Sequence, residues 1–105
     1  MKDIIDALIK FRDERNWKQF HTPENLAKSI VLEAAELLEN FQWQSGDEEI
    51  ENIKDELADV MTYCMLMCEH YQIDMKDIIL KKMEKTSKKY PVEKSYGKSN
   101  KYNKL

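Results

Sequence analysis

Two pairs of carboxylates constrain this chain more than any other feature. Glu33-Ala-Ala-Glu36 is followed, after nineteen residues, by Glu56-Leu-Ala-Asp59. Three residues is close to one helical turn, so each pair projects from one flank of a helix. If the two helices lie antiparallel and adjacent, four carboxylates converge. Buried anions cannot stand uncompensated: each costs several kcal/mol, on the order of what would force it to protonate. An all-oxygen donor set without Cys or His suits a hard cation, Mg2+ with Mn2+ as the alternative. Such an ion usually keeps some waters and meets the phosphates of a substrate.

The rest of the sequence supplies the helices. Charged residues make up 35% of the 105, and Gly and Pro occur only twice each, which favours long helices over sheet or disorder. Ile4, Ile5, Leu8, Ile9 and Phe11 recur at helical spacing and predict a helix over about 3–15, with Asp3 as N-cap. Asn16-Trp17 to Phe20-His21 reads as an aromatic-rich connection. Thr22-Pro23 reads as a helix start, and that helix should run to about Gln42. At 100° per residue, Leu26, Ala27, Ile30, Val31, Ala34, Leu37, Leu38 and Phe41 share one apolar arc. Glu33 falls at its rim, with Glu36 further out. A third helix is expected over roughly 47–71, capped by Asp47 or Ser45. Its core stripe is Ile50, Ile53, Leu57, Val60, Met61, Cys64, Met67, Cys68 and Tyr71. Glu56, Asp59 and Tyr63 share one flank of it. A fourth begins at the capping pair Asp74/Asp77 and stops at Tyr90-Pro91. The expected fold is all-α: a four-helix, bundle-forming single domain over 1–105, with its core at about 3–91 and an extended basic tail at 92–105.

Charge and cysteines narrow the setting. Residues 81–105 carry nine Lys against two Glu, +7, which leaves −10 on the rest. Such a tail suits a nucleic acid, a membrane surface or a polyphosphate held beside a metal, or it is simply solvated. No apolar run approaches the roughly 20 residues of a membrane span. The first residues carry acids where a signal peptide needs a basic and then an apolar stretch, so a cytoplasmic protein is expected. Cys64 and Cys68 share an apolar helix face and lack zinc-site spacing, so both read as reduced core residues.

Other constellations fail or stay weak. A di-iron bundle needs Glu-x-x-His, and Glu36 and Asp59 stand where His would be required. Gly97-Lys98-Ser99 resembles the end of a P-loop, but Val92 occupies the position of its first Gly. His21 is the better of two histidines as a substrate contact. Trp17 and Trp43 flank helix ends near the carboxylates, and Tyr63 shares the flank of Glu56 and Asp59. A nucleobase stacked on such rings gains roughly 1–3 kcal/mol each.

Glu-x-x-Glu, a spacer and Glu-x-x-Asp together resemble the signature of the MazG-like, all-α nucleoside triphosphate pyrophosphohydrolases. The likeness extends to their small dCTP pyrophosphatase branch through Asp13–Leu26, Leu38–Trp43, Lys82–Pro91 and Lys98–Tyr102. It spans roughly residues 4–103. The resemblance implies Mg2+-dependent hydrolysis of a (deoxy)nucleoside triphosphate, dCTP or a related or modified pyrimidine, to monophosphate and pyrophosphate. Glu33, Glu36, Glu56 and Asp59 would bind the metal, with Glu33 or Glu36 orienting the water. Trp17, Trp43 and Tyr63 would line the base and sugar pocket, with His21 and Asn25 close by, and Lys82, Lys89 and Tyr90 would contact phosphates. The family's homodimers and homotetramers imply a bundle completed by a second copy, and no nucleic-acid or membrane partner. Leu8 stands where the branch carries His, and Thr86 where it carries Asn, which loosens the expectation for cytosine. Two alternatives stay open: a dUTP or damaged-nucleotide hydrolase of the same superfamily, and a non-catalytic dimeric helical module.

Overall fold

A computed structural model describes all 105 residues as five helices without strands. They are α1 (Lys2–Glu14), α2 (Pro23–Glu39), α3 (Ile50–His70), α4 (Met75–Lys89) and α5 (Val92–Ser95), with short 3-10 turns at Lys18–Phe20, Asp47–Glu49 and Tyr102–Lys104. The chain divides into two compact units, Met1–Ile73 and Asp74–Leu105.

In the first unit, α2 starts as its sequence dictates. Pro23 takes the first helical position, and the Asn25 N–H donates to Thr22 Oγ1 at 3.2 Å. The helix ends at Glu39, three residues short of the expected Gln42. The buried Asn40 side chain donates to the carbonyls of Glu36 (3.3 Å) and Leu37 (3.1 Å) and so closes the last turn. Gly46 follows in the left-handed region, φ 92°, with the Phe41 ring packed where a Cβ would sit. Helix α3 then begins at Ile50 rather than near 47, because the intervening residues form a 3-10 turn and no side chain caps the helix. Helix α1 starts one residue before Asp3, which lies in the first turn and pairs with the terminal amine, so it is not the N-cap.

Helix α2 packs chiefly on α3, and α1 packs on α3. Leu26, Met65, Leu66 and Cys68 are the buried apolar core, and both cysteines are free thiols. Burial, then the neighbouring Cys64, pushes the Cys68 thiol above its ordinary pKa. The apolar arcs are wider than this core. Val31, Leu38, Leu57 and Met61 were expected inside, and each is at least 46% exposed, because no element of the first unit covers them.

In the second unit, the Asp77 N–H donates to Asp74 Oδ1 at 3.1 Å to start α4, as the capping pair requires. The helix stops at Lys89 before Pro91. The segment after it is not simply extended: Val92–Ser95 makes one helical turn, and the Tyr102 N–H donates to Tyr90 Oη at 3.0 Å.

Candidate active site

The α2–α3 hairpin is antiparallel and in strict register. From Asn40 to Glu36, Glu33 and Leu26 the steps are four, three and seven residues; from Asn52 to Glu56, Asp59 and Leu66 they are the same. Asn40 and Asn52 are hydrogen-bonded across the hairpin. Leu26 and Leu66 line one cavity near its other end. Between these layers, carboxylate oxygens of Glu33, Glu56 and Asp59 lie within 4.8 Å of one another. Glu36 stands beside this trio, exposed on the same flank, and acts on both Glu33 and Glu56.

The electrostatics follow from that crowding. Burial, then Glu36, Asp59 and Glu56, pushes the Glu33 carboxyl up to about 7. Burial, then Glu36, Asp59 and Glu39, raises Glu56 as well. Glu33 Oε2 is buried without any hydrogen-bond partner. A buried, unpartnered carboxylate oxygen facing two further carboxylates is an incomplete arrangement. A divalent cation would complete it, since the donors are all hard oxygens and the trio is compact enough to share one ion.

A cavity of about 220 Å3 adjoins the trio and shares Asp59 with it. Leu8 and Phe11 of α1, Trp17, His21, and Thr62 and Tyr63 of α3 form most of its wall. The aromatic connection is held in place by α2: Asn25 Nδ2 donates to the Phe20 carbonyl at 3.0 Å. Asn25 thus fastens the loop and is not part of the cavity wall. His21 meets Tyr63 edge to face, with centroids 6.3 Å apart. Burial, then the Arg12 charge, lowers the His21 pKa, and its buried Nδ1 has no partner. Burial and the three nearby acids raise the Tyr63 phenol.

Of the residues singled out in the sequence, the fold brings Glu33, Glu36, Glu56, Asp59, Trp17, His21 and Tyr63 into one neighbourhood. Trp43 is 93% exposed in the turn after α2. Lys82, Lys89 and Tyr90 belong to the second unit. There Lys82 and Tyr90 border an apolar groove on α4, and Lys89 Nζ lies 4.9 Å from the Tyr102 ring centroid. Arg12 was not anticipated. It is 4% exposed, donates to Glu69 and Asp13 at 2.9 Å each, and forms part of the cavity wall. Its one sequence signal is its position four residues after Leu8, on the apolar face of α1.

The MazG-like family model matches residues 28–105, a stretch that includes all four carboxylates. The chain belongs to the MazG-like family. Its relatives include dCTP pyrophosphatase 1 of Mus musculus, 34% identical over the whole of this chain and 67% of that protein. The Homo sapiens protein of the same name is 32% identical over the same shares. Among solved structures, a pyrophosphatase from Archaeoglobus fulgidus is 44% identical, with a TM-score of 0.79, covering 87% of this chain and 92% of that one. A MazG-like fold thus accounts for the all-helical architecture. No helix is long and apolar enough to cross a membrane.

Proposed function

We propose that this chain hydrolyses a (deoxy)nucleoside triphosphate to the monophosphate and pyrophosphate, with dCTP or a related or modified pyrimidine as substrate. The chain is a nucleotide pyrophosphatase, a hydrolase acting on acid anhydrides. The single observation that carries the reading is the shared Asp59: one residue belongs both to the compact carboxylate trio and to the wall of an aromatic cavity. A nucleobase in that cavity brings its own polyphosphate beside the carboxylates.

Glu33, Glu56 and Asp59 would hold Mg2+, or Mn2+, with Glu36 beside them. When bound, the ion supplies Lewis-acid neutralisation of the charge on the polyphosphate. Glu36 is the carboxylate best placed to orient and deprotonate the attacking water, because it is exposed and outside the compact trio. Trp17 and Tyr63 grip the base by stacking, and His21 enters the cavity as a neutral imidazole at pH 7. Leu8 and Phe11 give the α1 side of the wall an apolar stretch beside Arg12, which suits a pyrimidine carrying an apolar substituent. For phosphate contacts, the charge of the Lys-rich 81–105 segment and the family resemblance make Lys82, Lys89 and Tyr90 the candidates. Trp43 and the exposed apolar positions of α2 and α3 serve a homodimer or homotetramer. The activity belongs to residues 1–105 as one domain, and the family match spans the boundary between the two units.

Turnover of the common dNTPs and of 5-substituted dCTP, with Mg2+, tests the reading. Glu33→Gln should keep its helical circular dichroism and lose turnover by at least about 100-fold, on the order of a lost general-base or metal-ligand contribution. EDTA should abolish the wild-type reaction. An equally active Glu33→Gln enzyme would remove Glu33 from the site, and no turnover of any triphosphate by the wild-type protein would leave a non-catalytic helical module as the better account.

A further inference from the structure

The carboxylate trio depends on two helices holding one register, yet little in its own chemistry sets that register. The acids repel one another, and the buried apolar layer at Leu26 and Leu66 lies at the far end of the hairpin. One turn beyond the acids, on the other side, stands the Asn40–Asn52 pair. We propose that this amide pair is a positioning device for the carboxylates, fixing the slide of α2 against α3 and thereby the affinity of the site for a divalent cation. The inference rests on the metal-binding reading given above.

Three observations support it. First, Asn40 is 4% exposed and fully engaged. Its Nδ2 donates to the Glu36 and Leu37 carbonyls, its Oδ1 accepts from Asn52 Nδ2, and its own carbonyl accepts from Gln44 Nε2 at 2.9 Å. The Asn40 side chain is therefore bonded to the backbone that carries Glu36. Second, Asn52 lies one turn before Glu56 on the facing helix, so the amide bond joins the two turns adjacent to the acids. Third, the geometry leaves little tolerance. A slide of one helical turn is about 5.4 Å. That exceeds the 4.8 Å within which the three ligand oxygens lie. Apolar contacts permit sliding with modest loss, whereas a buried Asn finds its partner in one register only, at some expense in stability.

The test uses the full chain with Asn52 replaced, because Asn52 is exposed and its substitution does not open the core. Asn52→Leu removes the donor, and Asn52→Gln keeps an amide. Mn2+ binding is followed by electron paramagnetic resonance of the free ion, and hydrogen exchange is measured on the metal-free proteins. Asn52→Leu should bind Mn2+ roughly 10- to 100-fold more weakly, the usual loss when a group supporting a metal ligand is removed. Exchange should speed up near 36–41 and 50–56 but not around Leu26 and Leu66, and Asn52→Gln should recover part of the affinity. Unchanged Mn2+ affinity in Asn52→Leu, or equal losses in the Leu and Gln variants, would overturn the positioning role alone. No Mn2+ uptake by the wild-type protein would overturn the metal reading, and the positioning role with it.

Discussion

Glu33 concentrates the cost of the site in one side chain. Its carboxyl is held near 7 against an ordinary 4.5, so the folded protein binds a proton there that the unfolded chain releases. The sign follows from proton linkage: the stability this group contributes is complete below about pH 4.5 and is lost as pH rises through about 7. Glu56 acts in the same direction. His21, with its pKa lowered, acts oppositely, contributing stability that is lost as pH falls below its ordinary 6.5. Comparison with Glu33→Gln therefore isolates the carboxyl. In EDTA, the gain in melting temperature of Glu33→Gln over wild type should be larger at pH 8 than at pH 5; thermal melts at the two pH values check this. The carboxylates were legible in the sequence because a three-residue step on a helix leaves no choice of face. Arg12 was not, since a charge on an apolar face declares itself only when its partner Glu69, on another helix, is in place. Asn25 has a role that spacing alone could not reveal, because its bond to the Phe20 carbonyl depends on the path of the preceding turn.

Among the elements, the α2–α3 hairpin carries both the core and the site. Helix starts were readable where side-chain caps exist, at Thr22-Pro23 and Asp74/Asp77. The ends near 40–49 were less so. There Asn40 closes α2 with its own side chain, and Gly46 permits the backbone turn that delivers α3. Hydrophobic periodicity placed Leu38 on the same arc as Leu26, but the two have opposite fates: Leu38 is 69% exposed and Leu26 is 1%. Periodicity marks a face and does not say which part of it the same chain covers. The difference is measurable. Leu26→Ala should destabilise the fold by about 2–5 kcal/mol, as for other fully buried leucines. Val31→Ala should change the monomer by no more than about 0.5 kcal/mol. Urea unfolding of the two variants at low protein concentration checks both values.

For the molecule as a whole, the exposed apolar surface is the main fact left over by the fold. Val31 and Leu38 on α2, Leu57 and Met61 on α3, and Ile78, Ile79 and Met83 on α4 are all at least 45% exposed. So much apolar surface is expected where a partner covers it, and a second copy of this chain is the partner proposed above. Sedimentation velocity should show a dimer or larger species, and Leu38→Glu should shift it toward the monomer while keeping its helicity. A monomeric wild type would remove the homo-oligomer from the account. The central claim is chemical, and isotope placement tests it most directly. Hydrolysis of dCTP in water enriched in oxygen-18, with Mg2+ present, should put one labelled oxygen into the nucleoside monophosphate and none into the pyrophosphate, as the proposed reaction requires if water attacks the α-phosphorus. Label in the pyrophosphate, or release of diphosphate and orthophosphate instead, would contradict it.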